Sequence, residues 1–149
     1  MSRTRASASR SGSPQFGPEF DNLRRHRFAL LTTYKASGET VSTPMWFARR
    51  NDRVYMITAR NAAKLARIRR NPKATIAPCR AQGRPLGPPT AATAVILDPE
   101  ASDDAARALS RRYFLPSWVI EKFLQRRGGG LPPVYLHLAP AEQPNRYGP

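Results

Sequence analysis

Between Arg27 and Thr58 three runs of strand-forming residues follow one another so closely that they can fold only as an antiparallel meander. The first, Arg27–Tyr34, is rich in β-branched and aromatic residues. It ends at Lys35-Ala-Ser-Gly-Glu39, whose Ser37-Gly38 pair suits a hairpin turn. The second, Thr40–Ala48, sets Val41, Thr43, Met45 and Phe47 on one face and Ser42, Pro44 and Trp46 on the other. Arg50-Asn51-Asp52 then turns the chain into a third run, Arg53–Thr58. Parallel strands need a crossover of about a dozen residues or more, and neither connection has room for one.

Pro44 interrupts the second run. Proline cannot donate a ladder hydrogen bond, so this strand lies at a sheet edge or carries a bulge. Two readings remain open: an ordinary edge strand, or a strand whose free backbone groups face a ligand.

Ala59–Pro72 predicts a helix capped by Asn61 and stopped by Pro72. Arg60, Lys64, Arg67, Arg69, Arg70 and Lys73 fall in or beside it without one acid, while Leu65 and Ile68 form its inward stripe. Lys64 and Arg67 lie three apart and share a helical face at the end of the third strand. Such a run is either a solvated basic face or an anion site, in which helix N–H groups, the Thr58 hydroxyl and the cations act together.

Further on, Ala74–Cys79 reads as a strand, Arg80–Pro89 as a loop and Thr90–Leu97 as a strand. A helix begins at Ser102 with Asp103 and Asp104 in its first turn and Ala105, Leu109 and Tyr113 as its buried stripe. Pro116 opens another helix, with Val119, Ile120, Phe123 and Leu124 facing inward and Gly128–Gly130 ending it. Val134–Leu138 is the last strand.

The length suits a single domain. Residues 1–21 hold mostly Ser, Arg, Gly and Pro, and are expected to be a disordered basic tail to a folded domain spanning 22–149. Against 10 acidic residues stand 25 basic ones, a net charge of +15, and only Lys35, Lys64, Lys73 and Lys122 of these are lysine. That excess predicts affinity for polyanions, either nucleic acid or a phosphorylated small molecule. No RNP-like or helix-turn-helix pattern occurs, and the aromatics lie in core strands rather than among surface arginines, which speaks against a specific nucleic-acid module.

A lone cysteine, Cys79, excludes an internal disulfide framework and fits a reducing compartment. No apolar run reaches the roughly 18 residues of a membrane span, and the basic N-terminus lacks a secretory apolar stretch; the expected location is the cytoplasm, without membrane contact. HExxH, GxSxG, Walker and GxGxxG patterns are missing. His26 and His137, the two histidines, read as structural or solvated, and Cys79 as a small core residue. No metal site is expected, and any chemistry should come from a bound cofactor.

The segments Leu31-Thr-Thr-Tyr34, Val41-Ser-Thr-Pro-Met-Trp-Phe47, Val54-Tyr-Met-Ile-Thr58 with Lys64 six residues on, Arg69-Arg-Asn-Pro72 and the loop Ala77–Pro88 together resemble the PPOX-class (pyridoxamine 5'-phosphate oxidase-like) family. Within it they are most similar to the group dependent on the deazaflavin coenzyme F(420). The resemblance runs in order over residues 25 to 138. It implies a mainly β fold, a six-stranded antiparallel FMN-binding split barrel with accessory helices, paired as a homodimer with cofactor at the subunit interface. It places the ring system along Ser42, Thr43 and Pro44 and the phosphate at Thr58 and Lys64. Ala59, Arg67, Pro78 and Cys79 complete the expected cofactor contacts. The implied activity is hydride transfer between F(420) and a small organic substrate; FMN in place of F(420), and a non-catalytic cofactor carrier, are the alternatives. No catalytic side chain is assigned. Tyr34 and Tyr55 can donate a proton or serve simply as strand aromatics.

Overall fold

The period-two runs become six strands among the residues described by the computed structural model, 18–141: β1 (Phe28–Tyr34), β2 (Thr40–Arg50), β3 (Arg53–Thr58), β4 (Lys73–Cys79), β5 (Thr90–Ile96) and β6 (Val134–Pro140). Every pairing is antiparallel. The sheet closes into a barrel in the order β1-β2-β3-β6-β5-β4, with β4 returning to β1. Helix α1 (Ala63–Arg70) joins β3 to β4, while α2 (Asp103–Tyr113) and α3 (Ser117–Arg127) lie between β5 and β6 in sequence. The β1–β2 hairpin turns at Gly38, whose φ of 93° suits a residue without Cβ.

Strand alternation divides the apolar residues into two cores. Ala29, Leu31, Met45, Phe47, Val54, Met56, Ile76, Leu136 and Leu138 belong to one cluster, which α1 joins through Leu65 and Ile68. Tyr55, Ile57 and Tyr135, on the opposite faces of β3 and β6, pack with Ala105, Leu109 and Ile120 of α2 and α3. Hence β3 is buried along nearly its whole length, since both faces have a partner.

Tyr113, at the end of α2, is the polar tie between that layer and the barrel. Its hydroxyl accepts from the Phe47 N–H at 2.9 Å and reaches the Arg27 and Phe47 carbonyls at 2.8 and 2.9 Å, and its ring stacks on Trp46 at 5.0 Å.

Three expectations need correction. The domain does not begin at residue 22: Pro18–Leu23 forms a 3₁₀ turn whose Phe20 and Leu23 are each 1% exposed within the barrel core, and Asp21 pairs with Arg49 at 2.5 Å. One aromatic ring brings enough apolar area to anchor a turn, however polar its neighbours. Residues 1–17 of the expected tail lie outside the described residues. Asn61 does not cap α1, whose N-cap position is Ala62 without a side-chain bond; the Asn61 amide instead donates to the Arg127 carbonyl at 3.4 Å. Phe123 does not face inward with Ile120 and Leu124 but is 55% exposed. No helix among the described residues is long and apolar enough to cross a membrane.

Candidate cofactor cleft

The barrel splits along one seam. β2 pairs with β1 from Thr40 to Trp46, but with β3 only from Phe47 to Arg50, so the first half of β2 has a strand on one side alone. Beyond the Phe47–Met56 pair, the end of β3 follows β6 instead, Ile57 opposite Tyr135 and Thr58 opposite Val134. Pro44 lies in the half of β2 that has lost its second neighbour, where a missing N–H costs no ladder bond. Pro44 is thus an edge-strand proline, and it borders the opening.

A cleft of about 660 Å3 occupies this opening. One wall is Thr43, Pro44, Met45 and Trp46; the other is Ile57, Thr58 and Ala59, continuing into Ala62 and Lys64 of the α1 entry. Phe28 and Ala81 contribute from the β1 side, and Phe123, Leu124 and Arg127 from α3. The helix is moored there by its C-terminus: beside the Asn61–Arg127 bond, Arg60 donates to the Pro132 carbonyl at 2.9 Å, and a Cβ on Gly128 would stand 3.5 Å from the Arg60 nitrogen.

The cleft is thus apolar along most of its length and cationic at one end. Lys64 Nζ is 3.4 Å from the Thr58 hydroxyl, and no carboxylate pairs with it among the described residues. Burial, and secondly the Arg67 guanidinium, hold its pKa below the ordinary lysine value of 10.5. The start of α1 adds backbone N–H groups that the helix itself leaves free. Arg127, its guanidinium over the Phe123 ring at 5.4 Å, is a second cation on the lining.

Of the residues singled out in the sequence, Thr43, Pro44, Thr58, Ala59 and Lys64 come together on this lining. The other four do not. The Ser42 hydroxyl is bonded to that of Thr32 at 2.7 Å; Arg67 donates to the buried Thr33 hydroxyl at 2.8 Å, so its charge fastens α1 to β1. Pro78 and Cys79 are buried at the end of β4, and burial pushes the Cys79 thiol up, away from the reactive thiolate. Neither Tyr34 nor Tyr55 lines the cleft, and Tyr55 lies edge-on to His137 in the outer layer. Sequence reasoning missed Phe28, Met45, Trp46, Ile57, Phe123 and Arg127 as lining. Met45 and Trp46 adjoin Pro44 and were within reach of that signal; nothing local marks the two α3 residues.

Among the described residues no group of three or more His, Cys, Asp or Glu could hold a metal ion. A closed antiparallel barrel that opens at one seam, with an apolar cleft ending in a lysine that has no carboxylate partner among the described residues, defines the class: a split barrel of the type used by flavin- and other cofactor-binding proteins. The sequence profile of the family described as Pyridoxamine 5'-phosphate oxidase matches residues 16–134, and the chain belongs to that family. No curated protein matches it. Several solved structures share the fold. A conserved hypothetical protein from Mycobacterium tuberculosis is 19% identical, with 82% of this chain and 78% of that one covered and a TM-score of 0.57. The haem storage protein HutZ from Vibrio cholerae is 14% identical, with 87% and 93% covered and a TM-score of 0.56. An F(420) reductase is 17% identical, with 83% and 93% covered and a TM-score of 0.53.

Proposed function

We propose that this protein is an oxidoreductase that uses the deazaflavin coenzyme F(420) to transfer a hydride to or from a small organic substrate, working in the cytoplasm as a homodimer. The observation that carries this reading is the polarity of the cleft: a largely apolar lining that includes Pro44, Met45 and Trp46 and ends at a half-buried cation with no carboxylate partner among the described residues. A planar ring system with an anionic phosphate tail has the same two-part chemistry. Lys64 and Thr58 would hold the phosphate, with the free N–H groups of α1 behind them. Pro44, Met45 and Trp46 would flank the ring and exclude water, and Phe123 and Leu124 would do so from α3. When bound, the reduced cofactor supplies the hydride, so the protein needs mainly to orient the reactants. FMN meets the same requirements and is the alternative cofactor. Pairing with a second copy is supported by Phe114 and Trp118, 91% and 67% exposed, which leave large apolar surface uncovered in one chain.

One observation favours a second reading, a carrier of the same cofactor: among the described residues the lining holds no carboxylate, histidine, cysteine or tyrosine to act as an acid or base. The absorbance spectrum and mass of the copurifying ligand, with titrations of F(420) and FMN, test cofactor and class together. Micromolar or tighter binding of F(420), with hydride transfer to an enone, nitroaromatic or quinone, is expected. Binding without transfer across the panel would make the protein a carrier, and failure to bind either cofactor would sink both readings.

A further inference from the structure

A second concavity, of about 550 Å3, opens where the far half of β2 meets α2 and the segment before β1. It shares no lining residue with the cofactor cleft, since β2 gives Thr43–Trp46 to one and Phe47–Arg50 to the other. Six arginines line it: Arg24, Arg25, Arg49, Arg50, Arg111 and Arg112.

Part of this charge has a structural use. Arg112 donates to the His26 carbonyl and lies over the Phe47 ring at 5.0 Å, and Arg49 pairs with Asp21 at 2.5 Å. Arg111 and Arg112 also suit the last turn of α2, where the helix dipole favours cations. Among the described residues, those roles leave the Arg24, Arg25 and Arg50 side chains without a hydrogen-bond or ion-pair partner, and Arg111 with only the weak dipole term. Asp21 is the one carboxylate that an ion pair brings to the cleft among the described residues, and Arg49 Nε is buried there without an acceptor. Guanidiniums gathered around one concavity repel one another. A multiply charged anion seated among them removes that repulsion and accepts forked, charge-assisted hydrogen bonds.

We infer that this arginine cleft binds a compact polyphosphate, of the di- or triphosphate class, at a site separate from the cofactor cleft. The shape favours a small ligand over a nucleic-acid strand. A strand is held along an extended track with aromatic faces for its bases, whereas these arginines line a single concavity of ligand-pocket size. Its aromatic ring, Phe47, is 1% exposed and already covered by Arg112.

Calorimetric titration of the full chain with inorganic tripolyphosphate at physiological salt tests the site without reference to flavin or deazaflavin. Arg50→Gln combined with Arg111→Gln should weaken binding about tenfold or more, as expected for lost charge-assisted contacts. The charge-matched pair Arg69→Gln with Arg70→Gln, on exposed positions of α1, should weaken it less than about threefold. If circular dichroism shows the first pair unfolded, Arg24→Gln with Arg50→Gln takes its place. Equal losses from the two pairs would reduce the effect to net charge and overturn the site, as would no binding by the wild type. Displacement of tripolyphosphate by single-stranded RNA, at equal phosphate concentration and with a steep salt dependence, would overturn the compact ligand in favour of nucleic acid.

Discussion

Lys64 Nζ stands 3.4 Å from the Thr58 hydroxyl where β3 hands over to α1, and that neutral oxygen is the partner the fold provides for a half-buried ammonium. A lysine so placed is unfavourable in the empty protein and well placed for an anion. Lys64→Ala should therefore weaken cofactor binding tenfold to a hundredfold, about 1.5–3 kcal/mol, with little change in ligand-free stability. Arg69→Ala, an exposed charge on the same helix, is the control and should leave affinity nearly unchanged. Isothermal titration of both variants decides it; equal losses would point to general electrostatics.

The pH dependence follows from the direction of the Lys64 shift. Its pKa is lower in the folded chain than the ordinary 10.5, so the fold holds this proton less tightly than the unfolded chain does. In the ligand-free protein its unfavourable contribution is fully present below the lowered pKa and is relieved as pH rises from there toward 10.5. Phosphate affinity runs the other way, because only the ammonium form holds the anion. Dissociation constants measured from neutral pH to 10.5 should weaken before an ordinary lysine would titrate, and Lys64→Arg should flatten the decline. The same decline in Lys64→Arg would assign it to another group.

Tyr113→Phe keeps the stacking on Trp46 but removes the hydroxyl that meets the Phe47 N–H and two carbonyls. Leaving those partly buried groups without a partner should destabilise the fold by about 1–3 kcal/mol. Chemical denaturation would show it as a lower midpoint with an unchanged slope.

Phe20→Ala should cost about 3–5 kcal/mol, the usual range for truncating a fully buried phenylalanine. Removal of residues 1–21 should be at least as damaging, since it also takes Asp21 from Arg49. Thermal denaturation of the two proteins would test this, and a truncated chain as stable as the full one would show that Phe20 contributes nothing.

Light scattering of the full chain at micromolar concentration should give twice the 16.6 kDa of one copy. A stable monomer with full cofactor affinity would contradict the proposed pairing and show that one chain completes the cleft.

What the sequence determined by itself is the list of elements. The first three strands agree with their expected ranges to within two residues at each end, and the Gly38 turn and the start of α2 after Ser102 fall where expected, because these features depend on neighbours within one turn or one strand. Pro44 even marked the strand beside the cleft, since the missing N–H is local information. Only the tertiary structure decided where β2 leaves β3, which opens the cleft, and that α3 lays Phe123 and Arg127 across it some eighty residues after Pro44. It also turned Arg67 to Thr33, gave Asn61 to Arg127 in place of its own helix, and drew Phe20 into the core. Each of these depends on closing the barrel, which brings together residues far apart in the chain. A side chain able to make several local bonds takes the partner that closure delivers, and no short-range pattern records that choice.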